Sequence, residues 1–444
     1  MLKFLYPALW ISQFGVDQGW SSFNENPRLV GDVDGDGKSD VIGFANDGTY
    51  VSLSSGKDLG IAKRWVSNYA RSAGGWASYN QYPRFVADVN GDKKADIVGF
   101  GHDFTWVSIS TGSWFTEPSP WVKNYAYAAG GWSSFDLYPR CLGDVNGDGK
   151  ADIIGFGGEY TWISYSTGYS FASPQNLISE FSVASGWRSF NDTPRWAGDV
   201  NGDGKADIIG FNSSGVWVSL SVGTGFLAPT LWSGWFGNSD DAGHWTSFDQ
   251  FPRFVRDVNG DGKADIVGFG LAGIYVALSN GQGFDYPLLV MFHYGKLAAA
   301  GGWNSFDRHP RMIGDANGDR NNDIFGFGIA GVHVALSLND ANAINPINLK
   351  SIKANSTACD AKCTSECKDY GPRSNCLDKC KATCDCDAIG DTKQSEVGSF
   401  GVWIWIVSFA ILGIIMLNYF KGMRKSKKIR YDFGEESETP YIRA

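Results

Sequence analysis

The chain has 444 residues and a formal net charge of −9, with 57 glycines and an aromatic content of 15%. The acidic balance argues against nucleic acid as a partner, because surfaces that bind nucleic acid carry clustered cations. The length exceeds a usual single domain, although an array of internal repeats can reach it as one body.

The first residues already belong to a repeat. Residues 4–10 (FLYPALW) match residues 226–232 (FLAPTLW) further along the chain. Lys3 precedes an apolar run, but Pro7 interrupts that run and no small-residue cleavage site follows, as a signal peptide would require. We therefore expect that a signal peptide is missing from this chain, and a seventh repeat could be missing with it.

Residues 3–337 hold six repeats, marked by tryptophans that stand 55 to 58 residues apart: Trp20, Trp76, Trp132, Trp187, Trp245 and Trp303. Each repeat contains about four short strand-like segments between turn residues, such as the alternating run over residues 106–109 (WVSI). This pattern predicts a propeller blade, and such rings close with about 4–8 blades. The predicted fold is therefore an all-β propeller over residues 1–337, with six visible four-stranded blades and room for a seventh. An open solenoid is the alternative, but it needs capping repeats and none is seen.

Each repeat carries an acidic loop of the form D-V-N-G-D-G-K-A-D, with oxygen-bearing side chains at positions 1, 3, 5 and 9. Such hard oxygen ligands suit Ca²⁺, whereas Mg²⁺ rarely uses an all-protein cage. The loop departs from an EF-hand, because glycine stands at position 12 and the closing carboxylate comes at position 9. The predicted calcium ligands are Asp32, Asp34, Asp36, Asp40, Asp88, Asn90, Asp92, Asp96, Asp144, Asn146, Asp148, Asp152, Asp199, Asn201, Asp203, Asp207, Asp257, Asn259, Asp261, Asp265, Asp315, Asn317, Asp319 and Asp323.

The alternative for these loops is an acidic turn without metal, since Asp, Asn and Gly form turns by themselves. Six copies with all four positions filled favour calcium. Lys93 and Arg320 replace glycine at position 6 of the second and sixth loops. We expect those two loops to bind the ion less well.

The C-terminal part of the chain has a different composition. Residues 338–358 form a polar linker, and residues 359–386 hold seven of the eight cysteines, spaced for two short helices clamped by disulfides. A zinc site is the alternative, and the odd cysteine predicts a disulfide-linked dimer.

Residues 397–420 carry no charge and predict a transmembrane helix, and the cations that follow make residues 421–444 a cytoplasmic tail. The eighth cysteine, Cys141, occupies an apolar strand position and is predicted to be a buried thiol.

The stretch of residues 257–270 (DVNGDGKADIVGFG), followed by a G-x-W-V-S-L-S strand, resembles the FG-GAP or VCBS repeat of integrin-α-type propellers. The W-x-S-F-x-x-x-P-R element resembles, more narrowly, the mushroom lectin family with an integrin-like seven-bladed propeller. The resemblance covers residues 3–337 and implies that N-acetylglucosamine and related glycans bind between blades and that the loops carry calcium. Six visible repeats, a membrane anchor and a cysteine module depart from that family.

Two recurring positions are candidate sugar contacts, because sugars bind to an aromatic face and a few convergent polar groups. The first is the aromatic residue of the last strand: Tyr50, Trp106, Trp162, Trp217 and Tyr275, with His333 as the exception. The second is the polar residue of S-F-[ND]: Asn24, Asn80, Asp136, Asn191, Asp249 and Asp307. Their structural alternatives are inter-blade packing and a turn cap. The arginine after proline is a third recurring position, and its alternative is a fork that bonds backbone carbonyls between blades.

Together these features predict a single-pass type I protein of the plasma membrane, with an extracellular calcium-stabilised propeller. We expect it to bind glycans or glycoproteins in recognition or adhesion. Integrin-like protein–protein adhesion is the second hypothesis. An extracellular enzyme is the third, and no nucleophile elbow, phosphate loop or paired acid–base carboxylates support it. A tail-anchored protein with cytosolic repeats is the alternative topology.

Overall fold

The computed structural model describes residues 2–338, and the structural statements below concern these residues. Apart from two single-turn 3-10 helices, Val16–Gln18 and Ala298–Ala300, their regular structure is β. No helix in this range is long and apolar enough to cross a membrane. The predicted cysteine module, transmembrane helix and tail, and the linker after residue 338, lie outside the described residues.

The strands form six four-stranded antiparallel blades and one two-stranded ribbon. In chain order they are β1 (Lys3–Phe4), β2 (Ala8–Ile11), β3 (Arg28–Gly31), β4 (Asp40–Phe44), β5 (Thr49–Ser52), β6 (Lys63–Val66), β7 (Arg84–Ala87), β8 (Asp96–Phe100), β9 (Thr105–Ser108), β10 (Ser119–Val122), β11 (Arg140–Gly143), β12 (Asp152–Phe156), β13 (Thr161–Ser164), β14 (Gln175–Ile178), β15 (Arg195–Gly198), β16 (Asp207–Asn212), β17 (Gly215–Ser219), β18 (Thr230–Ser233), β19 (Arg253–Arg256), β20 (Asp265–Phe269), β21 (Ile274–Ala277), β22 (Leu288–Met291), β23 (Arg311–Gly314), β24 (Asp323–Phe327), β25 (Val332–Ala335) and β26 (Ser337–Leu338).

Blades 1 to 5 each take four consecutive strands, β3–β6 through β19–β22, whereas blade 6 takes β23, β24 and β25 and borrows β2 as its fourth strand. In that pairing Ala8 lies opposite Val334 and Leu9 opposite His333. The repeat-like first residues are thus the outer strand of the last blade. The innermost strands contact one another in sequence, and β23 contacts β3. The described residues therefore form a closed six-bladed ring, which confirms the propeller over the solenoid and leaves no gap for a seventh blade.

The second strand of each blade is buried between neighbouring blades, except for the half-buried Asn212 at the end of β16. A glycine at its centre lets aromatic side chains pack directly on the backbone. A Cβ on Gly99 would lie 2.4 Å from Trp76 and 2.7 Å from Tyr69. This glycine is position 12 of the acidic loop, so close aromatic packing explains the departure from the EF-hand pattern.

Six buried arginines join neighbouring blades: Arg28, Arg84, Arg140, Arg195, Arg253 and Arg311. Nη1 of Arg140 donates to the carbonyl oxygens of Tyr125 and Trp132, both at 3.1 Å. The guanidinium carbon of Arg140 also lies 5.3 Å from the ring centre of Phe100 in the preceding blade. Burial lowers the pKa of this arginine to about 9. The arginine after proline is therefore a structural fork between blades.

Six aromatic rings meet where the innermost strands begin, one from each repeat: Phe23, Tyr79, Phe135, Phe190, Phe248 and Phe306. Neighbouring ring centres are 4.8 to 5.1 Å apart around the whole circle. Tilted contacts at this separation are favourable for aromatic pairs. We call this set the aromatic ring; it narrows one end of the central channel.

We expect Arg140→Ala to lower the free energy of unfolding by about 2–4 kcal/mol, because two buried carbonyl groups lose their donor. Arg140→Lys should also destabilise, since an ammonium lacks the planar fork. Urea unfolding of the full chain measures both. Arg71→Ala is the control, because Arg71 is exposed and both its ion pair with Glu25 and its hydrogen bond to the carbonyl oxygen of Ala77 lie at the surface. Equal effects of the Arg140 and Arg71 variants would contradict the structural role.

Candidate functional site

A concave site lies on the face of blade 2, where three segments meet. The loop that leads into the blade supplies Asn68, Trp76 and Tyr82. The β8–β9 hairpin supplies residues 101–103 and Trp106, and the segment just before the outer strand β10 supplies Glu117. The cavity is about 410 Å³, which is within the usual range for small-ligand sites. We call such a cavity a blade-face pocket.

The same blade-face pocket recurs in blades 3 and 6. In blade 3 it measures about 340 Å³ and is lined by Asn124, Trp132, Tyr138 and Trp162. In blade 6 it measures about 530 Å³, and β2 and the residues before it supply the wall that Glu117 and Pro118 supply in blade 2. Repetition of one cavity around the ring indicates a site built from the repeat itself.

Hydrogen bonds within the blade hold the loop beside the pocket of blade 2 in one conformation. Asn68 Oδ1 accepts from Trp76 Nε1 at 3.2 Å and from the Tyr69 backbone N–H at 2.7 Å. Tyr69 adopts a left-handed backbone, φ 58°, and its buried hydroxyl bonds Ser108 Oγ at 3.0 Å. Gly74 also has a positive φ, and a Cβ there would meet Asn68 Oδ1 at 2.4 Å. The pocket walls are therefore preorganised.

The aromatics predicted for the last strand lie instead on the third strand of each blade, and those of blades 2 and 3 line the pockets there. Trp106 is half-buried, and its indole lies so close over Gly101 that a Cβ on that glycine would meet the ring at 2.9 Å. Trp162 packs in the same way beside Gly157. In blade 6 the position is His333, which also lines its pocket. Each pocket thus has an aromatic wall from this strand position.

The same strand position makes different contacts in the other blades. The hydroxyl of Tyr50 bonds Asp47 Oδ2 at 3.1 Å. Nε1 of Trp217 donates to Ser214 Oγ at 3.0 Å. Tyr275 packs edge-on against Trp245, with ring centres 6.0 Å apart. Blades 1, 4 and 5 therefore differ from blades 2 and 3 at this wall.

The predicted polar ligands lie elsewhere, beside the aromatic ring at the mouth of the channel. In each blade the side-chain Oδ1 at this position accepts from the backbone N–H of the corresponding residue in the next blade, at 2.8 to 3.2 Å, for Asn24, Asn80, Asp136, Asn191, Asp249 and Asp307. The hydrogen bonds run once around the ring, so this position joins the blades. The structure does not bring it together with the last-strand aromatics.

Several pocket residues were not predicted as ligands. Trp76 and Trp132, used above only as repeat markers, are buried core residues that also line their pockets. Tyr82, Tyr138 and His309 occupy the residue before Pro-Arg, which is one of the variable positions of the W-x-S-F-x-x-x-P-R motif. That variation between repeats was the available signal.

The lining of the pockets differs in charge. In blade 2 it includes Asp103 and Glu117, whereas the lining residues of blade 3 carry no charged side chain. Blade 6 has three histidines, His293, His309 and His333, where blade 2 has Asn68, Tyr82 and Trp106. Burial lowers the pKa of all three, and lowers that of His309 to about 4. Near pH 7 this pocket is therefore polar but uncharged.

The acidic loops fold around their own carboxylates. In the first loop Asp32 accepts from the N–H groups of Gly35 and Gly37 at 2.7 and 2.8 Å. Asp40 is buried and accepts from Val33 and Ser54, and burial raises its pKa to about 8. Oxygen atoms of Asp32, Asp34 and Asp40 all lie within 4.8 Å of one another. This oxygen donor set fits a calcium ion.

The lysine at position 7 pairs with the carboxylate at position 5, which makes that carboxylate a less favourable calcium ligand. Lys38 pairs with Asp36, and the same pair recurs in the next four loops.

The second and sixth loops keep the common backbone conformation although they lack glycine at position 6. Lys93 and Arg320 adopt φ values of 68° and 70° there, and each N–H still donates to the first carboxylate at 2.7 Å.

Comparison with solved structures finds similar propellers. The structure of an Agrocybe aegerita lectin, described as recognising non-reducing terminal N-acetylglucosamine, is 37% identical, with a TM-score of 0.58 over 71% of this chain and 78% of that chain. A Photorhabdus luminescens Tc holotoxin pore is 16% identical, with a TM-score of 0.50 over 75% of this chain and 14% of that chain, and shows the fold alone. No protein-family model and no curated protein matches. The FG-GAP or VCBS resemblance therefore stays an interpretation.

We expect His309→Tyr, which installs the residue of blades 2 and 3, to reduce the acid sensitivity of folding. The pKa of His309 is about 4 in the folded chain and about 6.5 when unfolded. The unfolded state thus binds more protons between these values, and the wild type loses stability as pH falls from 6.5 to 4. The free-energy difference between the two proteins should change by about 1–2 kcal/mol, less than the full shift because the pocket is open to solvent. A pH-independent difference would contradict this.

We expect Lys93→Gly to stabilise the second loop by about 1 kcal/mol or less. A left-handed backbone costs free energy at a lysine, because its Cβ crowds the backbone. Glycine adopts this conformation freely but loses more conformational entropy on folding. Urea unfolding at fixed calcium concentration measures the change. Lys94→Gly is the matched control, because Lys94 has no positive φ and pairs with Asp92; it should not stabilise.

Proposed function

This chain belongs to the family of the Agrocybe aegerita lectin, and we propose that it recognises glycans through its blade-face pockets. The observation that carries the proposal is the pocket of blade 2, with an indole wall, a rigid loop and several polar groups around about 410 Å³. Aromatic faces with a few placed polar groups are what a sugar ring requires. Terminal N-acetylglucosamine, the sugar in the description of the lectin, is the first ligand to test.

The side chains of the pocket have distinct parts in this proposal. The indole of Trp106 offers a flat apolar surface to the C–H face of a pyranose. Tyr82 and His102, whose hydroxyl and Nδ1 lie 3.4 Å apart, can bond sugar hydroxyls at the rim. Oδ1 of Asn68 is engaged within the loop, so its amide nitrogen is the group that donates to the ligand. Asp103 and Glu117 accept from further hydroxyls.

Several equivalent pockets on one rigid ring favour multivalent binding. Linked sites can raise avidity by about 10²–10⁴ over a single site when the ligand spans them. A cell-surface or glycoprotein ligand with repeated terminal sugars fits that arrangement. Attachment to the plasma membrane, an extracellular propeller, adhesion and a disulfide-linked dimer remain proposals, because they depend on residues after 338, outside the described range.

A glycan array probed with the full chain tests the lectin proposal. We expect binding to terminal N-acetylglucosamine, competition by the free sugar, and loss of most binding in the double variant Trp106→Ala/Trp162→Ala. Trp114→Ala is the control, because Trp114 is 59% exposed and lies outside the described pockets. Undiminished binding by the double variant would overturn the pocket assignment. A folded chain that binds no glycan would favour integrin-like protein adhesion instead.

We also propose that calcium binds the acidic loops, with the first loop as the strongest site. Its support is the convergence of three carboxylates there, where the other loops have asparagine at position 3. The ion would stabilise the loops by neutralising carboxylates that burial disfavours as anions. It has no direct contact with the pockets in this proposal.

Thermal unfolding of the full chain in calcium and in chelator tests this second proposal. Calcium should raise the unfolding temperature, because it binds the folded loops in preference to the unfolded chain. Asp34→Asn, which converts the first loop to the pattern of the others, should weaken calcium binding about tenfold. Identical unfolding temperatures in calcium and chelator would show that the loops are acidic turns without metal.

A further inference from the structure

The central channel contains an apolar cavity of about 220 Å³ that is separate from the blade-face pockets. Its wall is formed by the innermost strands, through Leu29, Phe85, Trp196, Phe254 and Met312, and by the aromatic ring. None of the residues that line it is acidic. The cavity is smaller than typical sites for drug-sized ligands, which occupy about 300–1,000 Å³.

Arg256 is the one charged residue in this lining. The corresponding positions of the other blades are Gly31, Ala87, Gly143, Gly198 and Gly314. The repeat therefore does not require a large side chain here, and only blade 5 carries a long one, which lines the channel cavity.

No acidic side chain of residues 2–338 lines the cavity beside the guanidinium of Arg256. Within the described residues it makes one hydrogen bond, from Nη1 to the carbonyl oxygen of Val255 at 2.9 Å. The side chain is exposed to the channel but surrounded by protein, and this loss of bulk solvation lowers its pKa. Cys141 interacts with it, but burial raises the pKa of that thiol to about 12, so the thiol is neutral and cannot serve as a counter-ion. A charge in this position favours an anionic partner.

We propose that the channel binds a small apolar carboxylate, such as a medium-chain fatty acid. The carboxylate pairs with Arg256, whose planar fork can donate two parallel hydrogen bonds. The hydrocarbon chain lies along Phe85, Phe254 and Met312 and removes apolar surface from water. This site does not depend on the sugar pockets, and a ligand there leaves them open.

Calorimetric titration of the full chain with octanoate tests the proposal, with Arg256→Gly as the matched variant. Glycine is the residue at this position in four other blades, so the substitution should preserve the fold. We expect octanoate to bind the wild type at one site and at least tenfold more weakly to the variant. The difference between the two proteins removes any uptake of octanoate by other apolar parts of the chain. Equal binding to both proteins would overturn the proposal.

Two further ligands separate charge from hydrocarbon. Octan-1-ol should bind at least tenfold more weakly than octanoate, because it lacks the anionic group. Acetate should bind at least tenfold more weakly as well, because it lacks the chain. Binding of either at the strength of octanoate would overturn the proposal, as the site would then be a general apolar cavity or a simple anion site.

The variant Met312→Trp tests the location, since it fills the channel and retains Arg256. Loss of octanoate binding is expected, with the circular dichroism spectrum and urea unfolding as checks on the fold. If the variant unfolds, Leu29→Phe, at the corresponding position of the neighbouring blade 1, replaces it. Full octanoate binding in a folded, channel-filled variant would place the ligand elsewhere and overturn the proposal.

Discussion

Close approach of neighbouring blades is the constraint on which the rest of the propeller depends. The central residues of the second strand are buried in every blade, and the glycine among them lets the side chains of the adjoining loop touch the backbone. That contact places Trp76 beside Gly99 and brings Arg84 over the ring of Phe44 in the preceding blade. The pocket of blade 2 forms above the same contact, so inter-blade packing and the candidate site have one origin.

Much of this architecture could be predicted from the repeat. The spacing of the marker tryptophans and the period-2 pattern of the strands predicted four-stranded blades, because both follow from local geometry. The borrowed strand β2 was visible as the match between residues 4–10 and 226–232, but ring closure by six blades was not. Whether a ring closes depends on the angle between blades, which local patterns do not encode.

The candidate site was predicted only in part, for a physical reason. An aromatic residue such as Trp106 alternates with buried aliphatic residues, so the sequence predicted that its side chain lies on the opposite face of the strand. Asn80 and Asp136 belong to residue types that bind sugars and also accept backbone hydrogen bonds, and the donor lies a whole repeat away. Asn68 was missed because it lies in an irregular loop, where no strand periodicity shows that its side chain accepts from Tyr69 and Trp76. Sequence periodicity therefore locates strand residues better than loop residues.

The borrowed strand gives the pocket of blade 6 a property that the others lack. Its wall combines Tyr6 and Leu9 with His293 and His333, which are more than 280 residues away in sequence. The pockets of blades 2 and 3 are each built from one continuous stretch of chain. Any ligand of the blade 6 pocket would bind only after β2 has paired with β25, so its binding free energy would add to the stability of ring closure. Occupancy of that single pocket would thus stabilise the closed ring as a whole.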